Sequence, residues 1–293
     1  MFRLWTLHLF IIIAVCYPDY CAAQDSLYHF AQESLRKEGV PKGSVTKFEW
    51  HSKIYNNFRE CYLYVPQQYD SSKAAALMIF QDGHAYVSDS GDQRVCIVYD
   101  NLIAQKKLPV TICLFVNPGN DISQYPENRF RSKNRSEEYD TMNGIYASML
   151  LNEIIPEISK KYNISNDRLL HGIGGLSSGA ICAFTCAWEH PEYFSKVLSQ
   201  IGSFTNIKGG NNYPSIIRKN AKKDLRIFLQ DGSNDLDNEY GNWWLANQEM
   251  EAALKYKGYD FKFEKGKGTH SGKHGGSIMP QTLLWLWSDT IKK

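Results

Sequence analysis

Leu169-Leu170-His171-Gly172-Ile173-Gly174-Gly175-Leu176-Ser177-Ser178-Gly179-Ala180 is the stretch on which the reading of this chain turns. Its first half, Leu169 to Gly174, is a short apolar run that reads as a buried strand. Ala180 to Trp188 reads as an apolar helix. Between them lies Gly175-Leu176-Ser177-Ser178-Gly179, a G-x-S-x-G sequence placed where a strand turns into a helix. A serine on such a turn has its hydroxyl lifted above the sheet edge, and flanking glycines let neighbouring backbone approach. The helix N-terminus behind it favours developing negative charge. Ser177 is therefore the candidate nucleophile, and Ser178, one residue off the motif, is the competing hydroxyl. A phosphate-binding reading of Gly174-Gly175 lacks both the Gly-Lys-Ser/Thr ending of a P-loop and the G-x-G-x-x-G of a dinucleotide site.

The rest of the chain supplies the sheet. Val45 to His51 and Cys61 to Val65 alternate as strands do, and Ala74 to Phe80 and Val110 to Val116 are continuous apolar runs. Tyr139 to Lys160 has helical spacing. Val197 to Ile201, Leu225 to Leu229 and Tyr259 to Phe263 read as further strands. Apolar runs of this length suit strands covered on both faces, so a mostly parallel sheet flanked by helices is expected: one α/β domain from residue 45 to 293. The 293 residues carry 33 Lys plus Arg against 31 Asp plus Glu. With no clustered basic footprint, nucleic acid is not expected as a partner.

A serine hydroxyl needs a base, and the base needs an acid to orient it. The Leu225–Leu229 strand runs into Gln230-Asp231-Gly232-Ser233-Asn234-Asp235-Leu236-Asp237, a carboxylate-rich loop. Asp235 and Asp237 are the contenders there, with Asp231 read as capping the turn before Gly232. The glycine-rich loop after the last strand carries His270 and His274. Their H-x-x-x-H spacing is not a zinc motif, because Ser271-Gly272 supplies no helical glutamate. Neither a metal nor a cofactor is expected.

Arg3, the apolar run Leu4 to Tyr17, Pro18 and Cys21-Ala22-Ala23 have the form of a cleaved export signal over residues 1–23. The run is short for a spanning helix, so a secreted or periplasmic product without stable membrane insertion is expected. Residues 24–44 read as a linker with a short helix. Cys61, Cys96, Cys113, Cys182 and Cys186 are odd in number and lack CxxC spacing, which favours buried thiols over a disulfide framework.

Residues 45 to 290 resemble the enterochelin-esterase-like esterases of the esterase D group, related to the feruloyl and acetyl xylan esterases of carbohydrate esterase family one. The resemblance is carried by FQDGHAYV (80–87), NRSEEYDT (134–141), GGLSSGAICAFTCAWEHPEYFSKVLSQIGSF (174–204), FLQDGSNDLDNEYGNW (228–243) and GTHSGKHGGSIMP (268–280). It implies an α/β-hydrolase fold with Ser177, Asp235 and His270 as a triad. Asp235 occupies the family's Gly-Thr/Ser-x-Asp turn, and His270 lies ten residues before Pro280, as the family histidine does. The oxyanion donors would be the Ser178 amide and the His84 or Gly83 amide. Arg135, Glu138 and Tyr139 match a segment near the family's active site, where Arg135 either grips substrate or pairs with Glu138. Trp243, with Trp244, is a candidate for stacking on a sugar or aromatic acyl group, and His274 for substrate contact. An exported serine esterase acting on carbohydrate- or phenolic-acid-linked esters is the leading reading. A siderophore-ester hydrolase, an acyltransferase and a non-catalytic binder on the same fold are the alternatives.

Overall fold

The computed structural model describes residues 25–121 and 125–291; the expected export signal, with Cys16 and Cys21, lies outside the described residues. An eight-stranded sheet organises the chain in the order β1-β2-β4-β3-β5-β6-β7-β10. The first four strands are β1 (Ser44–Ser52), β2 (Asn57–Val65), β3 (Ala76–Gln81) and β4 (Thr111–Val116). They are followed by β5 (His171–Leu176), β6 (Lys196–Gln200), β7 (Arg226–Gly232) and β10 (Asp260–Gly266). Two-residue strands β8 (Asp237–Asn238) and β9 (Gly241–Asn242) pair separately. The β1–β2 and β2–β4 pairs are antiparallel, and every other pair in the large sheet is parallel. This is the α/β-hydrolase arrangement, and the expected fold class holds.

The central strands β3, β4, β5 and β6 are buried at every position, the condition of a sheet covered on both faces. Short helices α1 (Gly83–Val87), α2 (Val95–Ala104) and α3 (Arg135–Tyr139) come first. Next are α4 (Ile145–Met149), α5 (Ile155–Ser159), α6 (Ser178–Glu189) and α7 (Tyr213–Lys219). Last are α8 (Trp243–Tyr256), α9 (Gly272–Ser277) and α10 (Met279–Trp287). Side chains of α4 to α8 share one apolar cluster on one face of the sheet, while α2 and α10 contribute to a second cluster on the other.

Three segments depart from the sequence reading. The single helix expected over Tyr139–Lys160 breaks after Tyr139 and resumes at Ile145. It then passes through a π-helical turn, Leu150–Ile154, ahead of Pro156. Proline has no N–H for the α-helical ladder, and widening the preceding turn accommodates it. Helix α2 had no readable period because nine of its ten residues are buried. Its Asn101 side chain donates to the Glu33 and Leu35 carbonyls, and its Asp100 accepts from Gly43 N–H and Tyr64 O–H. Those bonds also show that residues 25–44 are docked on the domain rather than trailing as a linker. The five cysteines of the domain are free and buried, Cys182 and Cys186 one turn apart on α6.

Strand β5 delivers its last residue, Leu176, directly to Ser177, and α6 starts at Ser178. The turn is so tight that a Cβ on Gly175 would lie 2.2 Å from the Gly179 carbonyl oxygen. Gly175→Ala is therefore expected to lower the unfolding free energy by about 1–3 kcal/mol, read from urea midpoints at constant m-value.

Candidate active site

Four loops at the carboxyl edge of the parallel strands, those after β3, β6, β7 and β10, converge on Ser177. The residue has φ 56° and ψ −125°, a left-handed conformation that a non-glycine residue adopts only under constraint. The constraint is visible: Ser177 N–H donates to the Gln200 carbonyl (2.9 Å), and its own carbonyl accepts from Ala180 and Ser203. The loop after β7 brings Asp235, and the loop after β10 brings His270. His270 Nε2 lies 2.8 Å from Ser177 Oγ, and its Nδ1 lies 2.5 Å from Asp235 Oδ1. Asp237 sits in β8 and is exposed, so Asp235 is the carboxylate that meets the histidine.

The competing hydroxyl does not meet the base: His270 Nε2 is paired with Ser177 Oγ, and Ser178 is buried. Its backbone N–H is the first of α6, and Gly83 N–H is the first of α1; helix geometry leaves both without an intrahelical acceptor. The two helix starts are adjacent: a Cβ on Gly179 would lie 2.9 Å from Asp82 Oδ2 and 3.1 Å from Gln81 Cβ. His84 N–H, the other amide considered, donates to Asn117 Oδ1 at 2.9 Å and is not free for an oxyanion. Gly83 itself is pressed against β4, where a Cβ would come within 2.5 Å of the Phe115 carbonyl carbon.

A cavity of about 670 Å³ opens beside Ser177 and His270, walled by Ala85, Leu176, Ile201 and Phe130, with Asp92 and Arg135 on its polar side. Arg135 is not a free cation. It makes a two-pronged ion pair with the buried Asp82 carboxylate, at 2.9 and 2.7 Å, which raises its pKa further. Burial lowers the His270 imidazole to about 4 and pushes Asp235 up to about 6. At neutral pH the pair is thus a neutral imidazole with its Nε2 lone pair toward Ser177, held at Nδ1–H by a carboxylate. Among the described residues no group of three or more metal-ligating side chains occurs.

The sequence matches the family described as "Putative esterase" over residues 52–285. The chain belongs to that family. Among curated proteins it is similar to the uncharacterised YbbA of Bacillus subtilis, 22% identical over 237 residues, which covers 77% of this chain and 91% of that protein. Among solved structures it resembles the enterobactin esterase of Shigella flexneri (TM-score 0.68, 20% identity, 86% of this chain and 62% of that one). It also resembles a carbohydrate esterase family one ferulic acid esterase of the fungus Anaeromyces mucronatus (TM-score 0.66, 15% identity, 89% of this chain and 97% of that one). This chain thus spans about three fifths of the enterobactin esterase's length. At these identities the structural likeness is one of fold.

Other residues singled out from the sequence are placed away from the cavity. Glu138 pairs with Arg59, not with Arg135: both side chains are essentially unexposed, and Glu138 also accepts from Asn57 and the Gly119 amide. Tyr139 is buried in the core with its hydroxyl donating to the Val116 carbonyl. Trp243 is buried, donates to Ser203 Oγ (3.1 Å) and meets the His270 ring in a T-shaped contact, so it walls the histidine. Trp244 lies against Phe263. His274 is buried, bonded to Gln230 and stacked on Tyr28 at 4.2 Å.

Sequence reasoning missed Ser203, whose hydroxyl lies 3.2 Å from Ser177 Oγ; its signal was Gly202-Ser203 at the end of β6, one more loop on the same sheet edge. It also missed the N-terminal strap. Asp25 accepts from Thr269 N–H (3.0 Å), Thr269 Oγ1 (2.6 Å) and Ser271 Oγ (2.7 Å), flanking His270 on both sides. Tyr28 Oη accepts from Lys267 N–H.

Two predictions follow from these pairings. Glu138→Ala strands a buried guanidinium and should destabilise the fold by about 3–5 kcal/mol in urea titrations, lowering activity only in proportion to folded protein. Asp25→Ala frees the histidine loop; kcat on a soluble ester should fall about 5- to 50-fold while far-ultraviolet circular dichroism is unchanged.

Proposed function

We propose that this chain is an exported serine carboxylic-ester hydrolase acting through Ser177, His270 and Asp235 on carbohydrate- or phenolic-acid-linked esters. The observation that carries the reading is the unbroken relay from Asp235 Oδ1 through the His270 ring to Ser177 Oγ, at 2.5 and 2.8 Å. A weak nucleophile becomes competent when a neutral base within hydrogen-bond reach takes its proton.

His270 Nε2 removes the Ser177 proton as Oγ attacks the ester carbonyl. Asp235 stabilises the imidazolium that forms. The Ser178 and Gly83 amides receive the developing oxyanion, each such donor contributing roughly 3 kcal/mol in the transition state. His270 returns the proton to the departing alcohol, leaving an acyl group on Ser177 that water removes by the reverse sequence of proton transfers. The cavity beside Ser177 is mostly apolar, and its one arginine is already neutralised by Asp82. That supports an uncharged acyl or alcohol portion over a carboxylate-bearing one. Asp25 anchors the histidine loop, so a mature chain that starts at Ala23 or Gln24 keeps the strap.

Ser177→Ala should abolish both ester hydrolysis and labelling by a fluorophosphonate while preserving the fold. His270→Ala should lower kcat by several decades, close to the loss of the serine itself. His274→Ala, which removes a buried stack on Tyr28, should cost stability and no more than about tenfold in kcat. A serine variant that retains a few per cent of activity, or a reversal of the two histidine effects, overturns the assignment. Comparing p-nitrophenyl esters, ferulates, acetylated xylan and a catechol siderophore ester then sorts the substrate classes. Because burial holds His270 below the ordinary imidazole value, the acid limb of kcat/KM should lie below pH 6.5.

A further inference from the structure

Asp231 is a second carboxyl group buried beside the Ser177–His270–Asp235 relay and unused by it. Far from capping a solvent turn, it lies within β7 and is wholly inaccessible to solvent. Its Oδ1 accepts from Gly232 N–H (2.7 Å) and its Oδ2 from Asn247 Nδ2 (2.9 Å). Four residues on, Asp235 also has a solvent-inaccessible side chain. Both donors that reach Asp235, His270 Nδ1 and Leu236 N–H, bond Oδ1. Oδ2 is buried without a hydrogen-bond partner. Asp231 and Asp235 belong to one tight turn, closed by Asp235 N–H donating to the Gly232 carbonyl (3.1 Å), and a second carboxyl group can satisfy the orphaned Oδ2 only when it carries a proton.

We infer that Asp231 is protonated in the folded protein at neutral pH and donates its O–H to Asp235 Oδ2, acting as a positioning residue for the acid of the relay. The proton belongs on Asp231 because Asp235 faces the imidazole N–H and gains most from being charged. Asp231 meets no cation. The groups around it are Asp235 and His270 from the two active-site loops and Asn247 from α8. Lys265, its register partner on β10, is turned to Glu251 at 2.6 Å. The Gly232 N–H favours the charged form, but exclusion of water and the neighbouring Asp235 carboxylate outweigh it. Together they raise Asp231 to about 9.

The protonation claim is independent of the proposed hydrolase activity; only its kinetic consequence rests on that reading. The linkage sign is set by the folded state holding a proton that the unfolded chain releases near the ordinary carboxylate value. Above about pH 6, where Asp235 has ionised, and below about pH 9, Asp231 remains as the bound proton of this cluster. In that window it contributes a tenfold rise in the unfolding equilibrium constant per pH unit. Asp231→Asn cannot release that proton and should lose this slope, measured by urea unfolding of the full chain at several pH values. Parallel stability–pH curves for the two proteins overturn the inference, whether or not the protein is an esterase. If Asp231→Asn fails to fold, the wild-type protein decides alone: the infrared band of a protonated carboxylic acid should be present at pH 7 and disappear as pH rises past 9. Its absence at pH 7 refutes the proposal.

On a soluble ester, Asp231→Ala should lower kcat about 10- to 100-fold with KM little changed. Asp231→Asn, which keeps an N–H donor for Oδ2, should restore kcat to within about fivefold of wild type. Equal losses in the two variants assign Asp231 a purely structural role.

Discussion

The strained turn at Ser177 is the constraint on which the site depends. A left-handed backbone at a serine costs about 1–3 kcal/mol, and the surrounding sheet holds it in place. The Ser177 amide is tied to β6, and Gly175 is in contact with the Gly179 carbonyl, so neither neighbour leaves room for relaxation. The result is that one side chain stands clear of the sheet edge while the amide after it starts a helix. Every other participant is placed relative to that point by a strand end: Gly83 after β3, Ser203 after β6, Asp235 after β7 and His270 after β10. Because these strands are parallel, their carboxyl ends share one edge, and four chain-distant loops meet without any long excursion.

This geometry explains what was legible beforehand. The strands at the centre announced themselves because burial on both faces requires unbroken apolar runs, and each run ended in a loop rich in Gly, Asp, Ser or His. Such loops carry Ser177, Asp235 and His270, which made them candidates, the family spacing chose between paired candidates, and the fold brings the three side chains together. Side-chain partners were not legible. Arg135 and Glu138 are three residues apart on one short helix, yet each takes its partner from a strand or strand end far away in sequence: Asp82 for Arg135, Arg59 for Glu138. Opposite charges at helical spacing satisfy a surface helix, but Glu138 is buried and Arg135 largely withdrawn from solvent, and such settings demand the better geometry that a bidentate tertiary pair supplies.

The N-terminal strap was unreadable for a different reason. Residues 25–44 lack periodicity and are polar, which is the composition of a linker. Their hold on the domain is largely polar: Asp25 on either side of His270, Tyr28 on Lys267, the Glu33 and Leu35 carbonyls on the Asn101 side chain, and Arg36 paired with Asp89 and Asp100, with the Tyr28 ring stacked on His274. Contacts of this kind leave no hydrophobic pattern. They do place the first described residues against the histidine loop, so the glycine-rich stretch Gly266 to Gly272 gains its order from a segment more than two hundred residues earlier.

The same burial that fixes these loops sets the charge of the relay. Three ionisable groups, His270, Asp235 and Asp231, lie in one water-poor cluster, where each added charge is costly. Were both carboxyls ionised, their repulsion would draw a proton onto the imidazole and remove the base. Were both neutral, nothing would stabilise the imidazolium that the proposed acylation of Ser177 requires. A single negative charge on Asp235, next to a neutral ring, avoids both failures. Burial of His270 lowers its proton affinity and burial of Asp231 raises its own, so the two displacements act in the same direction and leave that one charge in place across neutral pH. The cluster's protonation therefore follows from where β7 and the two loops after β7 and β10 end in the fold, and no cation is needed to enforce it.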